Sequence, residues 1–249
     1  MAQRRYARLV RVCETCVSSE NLYGMLVTAK GGYSWEAARD EDNGTFLMWL
    51  VRHARFNNSV LVPILRDCDS VNCGVNFLAK DNEGDTILCH AVDGQNIEAA
   101  GLILERLPLA ERQALLDVVD TQGGCALAMA VLQGNLALVR LLLGHGARVL
   151  PLNNSLTDST VKVVQVLHEA ADWAPNLDIF ATLVHDLHNN VKYTRGDVAY
   201  ILNEGATYCD VHKHDHTLKD YVAPPHQHAP AMSAMVVAVA RAWDVPFKL

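Results

Sequence analysis

The densest group of chemistry-bearing side chains in the sequence is a run of histidines near the carboxyl end. Five of the eleven histidines fall between residues 212 and 228, and three of them, His212, His214 and His216, alternate with other residues. Residues two apart in an extended strand point to the same side, so these three imidazoles could share one zinc ion. The competing interpretation is an exposed polar β-finger, because the sequence places no acid that must orient the histidines. The pattern favours the polar loop, and a metal-binding module or metalloenzyme is the alternative.

Other pairs that could support catalysis have a spacing that argues against it. Cys89 and His90 are adjacent, and neighbours on a helix diverge by about 100°, so thiol and imidazole would not face each other. Cys13 and Cys16 have the spacing of a zinc or redox site, but no second pair accompanies them. The sequence has no glycine-rich phosphate loop, no Gly-x-Ser-x-Gly elbow and no His-Glu-x-x-His motif. We therefore expect a protein without catalytic activity and without a cofactor.

Composition narrows the class of protein further. Half of the 249 residues are hydrophobic and only 6% are aromatic, which suits stacked helices with small side chains. The net charge of −7 argues against a nucleic-acid binder, since no broad basic surface is available for phosphates. The odd number of cysteines, seven, indicates a reducing compartment. No apolar run reaches the roughly 18–20 residues of a membrane span, and the amino terminus lacks the apolar core of a signal peptide. We expect a cytoplasmic protein.

A unit made of a turn, a short helix, a tight loop and a second helix recurs along the chain. The units begin at Asp40, Asp81 and Asp120, which are 41 and 39 residues apart. In the third unit, Gly134 and Asn135 separate the first helix from a leucine-rich second helix. Each helix is too short to be stable alone, and each needs neighbours stacked on both sides.

This unit resembles the ankyrin repeat, whose core pattern is Asp-x-x-Gly-x-Thr-Pro-Leu-His-x-Ala-Ala followed by Gly and a leucine-rich helix, with a period of roughly 33. The match is best over residues 120–147, good over 81–104 and weaker over 40–66. The resemblance implies an all-α, ankyrin-type helical solenoid of about five to six repeats with short β-finger loops and helical caps. The sequence departs from the pattern at its Pro, which is Phe46, Ile87 or Ala126, and at its His, which is Met48, Cys89 or Ala128.

The repeat pattern divides the chain into three parts. Residues 1–39 do not fit the repeat and are predicted to form an amino-terminal helical cap, with a membrane-surface helix as the weaker alternative. Residues 40–151 hold three recognisable repeats. Residues 152–249 are predicted to hold degenerate repeats and a carboxy-terminal capping helix.

Several helices outside the clear repeats are also predicted. One begins near Ser19 and turns Leu22, Met25 and Leu26 inward. Another follows Asn176 and turns five apolar side chains inward: Leu177, Phe180, Leu183, Val184 and Leu187. A further helix begins at Thr194, because Thr194 and Asp197 have the spacing of a capping box.

The resemblance also implies which side chains face a partner protein. Ankyrin arrays bind through their finger tips and through the exposed side of the inner helices. Carried over position by position, the residue after the motif His forms one row, the residue three places later forms a second row, and acidic finger tips lie beside them. The implied partner-binding residues are Trp49, His90 and Met129 in the first row, Arg52 and Asp93 in the second, and Glu41, Asp42, Glu83, Asp85 and Gln122 at the tips.

The makeup of these rows indicates the kind of partner. Large aromatic and sulfur-containing side chains offer contact area, and the acids select a protein with a basic or mixed surface. The alternative for Trp49 is that its bulky ring packs between the first two repeats. We expect a protein–protein interaction module, either an adaptor or a bacterial effector delivered into a host cytosol.

Overall fold

The computed structural model describes residues 1–15, 19–31, 33–53, 58–67, 75–149, 166–172, 177–190, 192–203, 206–208, 215–218, 222 and 228–247. Most of these residues are helical, and they fall into two compact units, Met1–Leu115 and Leu116–Leu249. None of the described helices is both long and apolar enough to cross a lipid bilayer. The helices of the first unit are α1 (Ala2–Thr15), α2 (Ser19–Lys30), α3 (Phe46–Arg52), α4 (Asn58–Asp67), α5 (Ile87–Asp93), α6 (Ile97–Arg106) and α7 (Leu109–Leu116), which ends at the boundary.

The first unit consists of helix pairs that pack in two rows. Helix α1 packs against α2 and α3, and α3 packs against α5, which gives one row of helices. Helix α2 packs against α4, and α4 against α6, which gives the second row. The predicted helix near Ser19 is confirmed, and Leu22 and Leu26 are buried. The prediction that Met25 turns inward is wrong, since 42% of this residue is exposed.

The three residues at which repeats were predicted to begin all start turns with the same hydrogen bonds: Asp40, Asp81 and Asp120. In each turn, one carboxylate oxygen accepts bonds of 2.7–3.0 Å from the backbone N–H groups two and four residues later. The aspartate N–H donates to the carbonyl four residues later over 2.9–3.0 Å. The predicted equivalence of the three turns is therefore confirmed. The third residue after each aspartate has a positive φ: 63° at Asn43, 90° at Gly84 and 88° at Gly123.

The same turns also set where the helices of each repeat begin. Helices α3 and α5 start directly after their turns, and so does α8 (Ala126–Leu132) in the second unit. Thr45 caps α3 by accepting a 3.2 Å bond from the Met48 N–H. The second helix of each later repeat, α6 or α9 (Leu136–Gly144), begins at an asparagine whose side chain accepts a backbone N–H bond, Asn96 over 3.0 Å and Asn135 over 3.1 Å.

The second unit continues with further helices and one short hairpin. Helix α8 packs against α9 and α10 (Val166–Asp172), α10 against α11 (Leu177–Asn189), and α11 against α9 and α13 (Ala229–Ala242). Of the side chains predicted to face inward after Asn176, Leu177 is half-buried, and the other four are buried: Phe180, Leu183, Val184 and Leu187. The remaining elements are α12 (Arg195–Asn203) and two strands, β1 (Ala206–Tyr208) and β2 (Asp215–Thr217), which pair antiparallel.

Two polar arrangements lie near residue 193 in the second unit. The buried Tyr193 hydroxyl accepts a 3.0 Å bond from the Val149 N–H and donates a 2.7 Å bond to Asp186. Burial, followed by the nearby Asp186 charge, raises the pKa of Tyr193. The predicted capping box is confirmed, since the Thr194 N–H donates to Asp197 over 2.7 Å and the Asp197 N–H donates to the Thr194 hydroxyl over 3.2 Å.

Candidate partner-binding surface

A cavity of about 490 Å³ opens in the first unit between the turns and first helices of repeats one and two. Its lining includes side chains from α1, from the two aspartate turns, from α3 and from α5. We call this cavity the finger cleft. Five of the residues predicted to bind a partner line it: Asp42, Trp49, Arg52, Glu83 and His90.

Trp49 forms part of the wall of the finger cleft and is half-buried. Its ring stacks on Phe46 with 6.0 Å between centroids and on His53 with 4.4 Å between centroids. The Nδ1 atom of His53 also donates a 2.7 Å bond to the Trp49 carbonyl. The ring therefore packs on side chains of its own helix and still reaches the cleft.

The acidic residues of the cleft have two kinds of environment. Asp40 and Asp81 anchor their turns, and each also meets one side chain of the cleft wall. The Tyr6 hydroxyl forms a hydrogen bond with Asp40. Burial of Tyr6, followed by the nearby Asp40 charge, raises the pKa of Tyr6. The Nε2 atom of His90 lies 2.8 Å from the second carboxylate oxygen of Asp81. Asp42 and Glu83, in contrast, are exposed at the rim of the cleft.

Charge in the finger cleft is dominated by carboxylates. Asp40, Asp42, Asp81 and Glu83 line it, and Arg52 is the only lysine or arginine among the described lining residues. The Arg52 Nε atom forms a 2.6 Å ion pair with Asp93, whose side chain lies on the neighbouring helix. The cleft is thus acidic, and its cation already has a carboxylate partner.

The other five residues predicted to bind a partner do not line the finger cleft. Glu41 is exposed on the first turn, and Asp85 is half-buried, with its backbone closing the second turn. Asp93 contributes the ion pair with Arg52. Met129 and Gln122 belong to the second unit, where Met129 is half-buried on α8 and Gln122 is exposed on the turn that Asp120 anchors.

Two aromatic residues of the cleft, Tyr6 and His53, were not predicted from the sequence. His53 follows Trp49 by four residues, so helical spacing places the two rings on one face and could have identified it. Tyr6 belongs to α1, and its position depends on how α1 packs against α3. No local sequence pattern indicates that contact.

The predicted metal ligands mostly lie outside the described residues. The structure describes neither His212 nor His214, and it gives the backbone of His216 in β2, opposite Thr207. Among the residues that are described, no group of three or more histidine, cysteine, aspartate or glutamate side chains is arranged to hold a metal ion. The zinc site therefore stays an untested prediction. Cys89 is buried, with 4% exposed.

Helix pairs that pack in rows and begin at aspartate-anchored turns define a helical repeat protein. The sequence model described as "Ankyrin repeats (3 copies)" matches residues 26–153, more than half of the chain, so the protein belongs to the ankyrin repeat family. The crystal structure of the ankyrin repeat domain of Bcl-3, "a unique member of the IkappaB protein family", is similar, with 26% identity and a TM-score of 0.53. The alignment covers 75% of this chain and 72% of the Bcl-3 chain. A search of curated proteins gave no match.

The family assignment confirms the predicted helical, ankyrin-type fold and its general role. Ankyrin repeats form protein–protein interaction modules, so the partner of this chain is another protein.

Proposed function

We propose that the protein is a non-catalytic interaction module that holds a basic segment of its partner in the finger cleft and needs no cofactor. The supporting observation is the set of four carboxylates around the half-buried Trp49 in one cavity. We further propose that the protein works in the cytoplasm, as an adaptor or as an effector delivered into a host cell. The same cleft would serve either role.

The aromatic and acidic side chains of the finger cleft would contribute to binding in different ways. Trp49 is held by its stacking on Phe46 and His53, so a partner that covers it would immobilise few additional rotamers. A lysine or arginine side chain placed over its ring would gain a cation–π contact. Asp42 and Glu83 at the rim would attract the same cation, and because Arg52 is paired with Asp93 it neutralises them less.

Charge reversal at the rim tests this proposal. The probe is a panel of fluorescent synthetic peptides that are basic, neutral or acidic and otherwise matched, with binding to the full chain measured by fluorescence anisotropy. We expect the basic peptides to bind the wild-type chain and to bind the double variant Asp42→Arg, Glu83→Arg at least about tenfold more weakly. Trp49→Ala should cause a loss of about thirtyfold, as truncation of a central aromatic residue does at interfaces.

The matched control is Glu105→Arg, which reverses an exposed acid on α6 that does not line the cleft. This variant should bind like the wild type, and helical circular dichroism should be the same for all variants. Equal binding of basic peptides by the folded double variant and by the wild type would remove the finger cleft as the binding site.

A further inference from the structure

The cap carries a second surface whose charge is opposite to that of the finger cleft. Arg4, Arg8 and Arg11 are exposed on α1, and their spacing of four and three residues places them on one face of the helix. Arg5 is turned away from this row, with its guanidinium 3.4 Å from the centre of the Tyr33 ring. The row extends over about 10 Å of helix, or two turns.

Arg8, the middle residue of this row, lines a groove between α1 and α2. The groove has a volume of about 700 Å³, and Arg8 and Val12 of α1 line one side of it. Gly24, Met25 and Ala29 of α2 line the other, along with Thr28. A Cβ atom added at Gly24 would meet nothing within 4 Å, so the glycine leaves open space in the floor of the groove. We call this surface the cap groove.

We propose that the cap groove binds an acidic amphipathic helix of a partner protein. Small and apolar side chains in the floor accept the apolar face of such a helix, as in other helix-in-groove complexes. Glutamates or aspartates spaced three and four residues apart along it then face Arg4, Arg8 and Arg11. Guanidinium groups bind carboxylates in a bidentate way, which makes arginine well suited to this rim.

The geometry favours a protein helix over a lipid surface. An amphipathic helix binds a membrane by burying its own apolar face in the lipid. The apolar residues Leu9 and Cys13 of α1 are instead buried within the protein. A flat, fluid surface also gains little from the concave space above Gly24, whereas a helix can fill it.

The test uses a synthetic helical peptide with glutamates at matching positions and leucines on the adjacent stripe, and a second peptide with glutamine in place of each glutamate. Binding to the full chain is measured by fluorescence anisotropy at low and at physiological salt. We expect the glutamate peptide to bind saturably and the glutamine peptide at least about tenfold more weakly, with a difference that shrinks as salt increases.

Two pairs of variants separate charge from shape. Arg8→Glu with Arg11→Glu should weaken binding of the glutamate peptide about tenfold, while Arg140→Glu, at an exposed position on α9, should not change it. Gly24→Leu adds a side chain to the floor, where a Cβ meets nothing within 4 Å, and should abolish binding. Gly144→Leu places the same side chain on another helix where a Cβ also meets nothing within 4 Å, and it should bind like the wild type.

Three results would overturn the proposal: no saturable binding of the glutamate peptide, unchanged binding by Gly24→Leu, or arginine-dependent binding seen only with phosphatidylserine–phosphatidylcholine vesicles. The double variant Asp42→Arg, Glu83→Arg should keep its affinity for the glutamate peptide. The cap groove can therefore fail or succeed independently of the finger cleft.

Discussion

Repeats two and three have the same internal backbone hydrogen bonds and different side chains around them. In repeat two, the N–H of Asn96 donates to the carbonyl of Ala91 over 2.8 Å, and in repeat three Asn135 and Ala130 make the same bond over 3.0 Å. The aspartate turns and the asparagine caps correspond in the same way. Side chains that form hydrogen bonds with backbone groups are therefore the same in both repeats, and the other side chains can differ.

The two repeats differ in where they place glycine after the first helix. Repeat two has Gly94 followed by Gln95, which has a φ of 53°, and repeat three has Gln133 followed by Gly134, which has a φ of 68°. A Cβ atom on Gly94 would lie 2.2 Å from the carbonyl oxygen of Arg52. In repeat two, close packing against repeat one therefore requires the glycine, and a glutamine takes the left-handed conformation that glycine normally adopts.

The largest expected effect comes from adding a methyl group at that contact. Gly94→Ala should destabilise the protein by about 3 kcal/mol or more, because the clash is with backbone and can be relieved only by moving α3 and α5 apart. Urea unfolding followed by circular dichroism measures this loss.

The control for that substitution is Gly24→Ala, which adds the same methyl group in the interior of α2 where nothing lies within 4 Å. It should stabilise the protein by about 0.5–1 kcal/mol, since alanine favours the helix. A loss at position 94 no greater than about 1 kcal/mol would mean that the two repeats are not closely packed there.

An intermediate effect is expected where His90 of repeat two corresponds to Met129 of repeat three. His90→Met removes the hydrogen bond to Asp81 and should cost about 1.5 kcal/mol in the free energy of unfolding. Met129→His places an imidazole near Asp120, whose turn has the same geometry, and should add up to about 1 kcal/mol.

Urea unfolding at neutral pH checks both changes, and His90→Gln, which keeps a donor, should recover part of the loss in repeat two. If Met129→His has no effect while His90→Met is destabilising, the two turns differ in the orientation of the following helix.

The sequence predicted those parts of the molecule that depend on local chemistry. The aspartate turns and the Thr194–Asp197 capping box could be predicted because each satisfies backbone groups within a few residues. The rim residues Asp42 and Glu83 could be predicted from the same register. Tyr6 could not, since its position depends on how α1 packs against α3. The register places Arg52 and Asp93 in one row, but it does not show the ion pair between them.

The exposed Met25 also shows that a sequence pattern does not determine how helices pack. Helical periodicity places Met25 beside Leu22 and Leu26, which are buried, and it does not show that the groove next to Gly24 leaves this side of α2 uncovered.

The smallest expected effect distinguishes backbone preference from packing. Gln95 adopts a left-handed conformation that costs a non-glycine residue about 1–2 kcal/mol, whereas a glycine there would lose more conformational freedom on folding, by about 0.5–1 kcal/mol. Gln95→Gly should therefore stabilise the protein by about 0.5–1 kcal/mol, and Gly134→Gln should destabilise it by a similar amount. A Cβ at Gly134 meets nothing within 4 Å, so no clash contributes there. Both changes are measured by urea unfolding, with opposite signs expected. If the two substitutions shift stability in the same direction, contacts of the Gln95 side chain rather than backbone conformation determine which residue of each repeat is glycine.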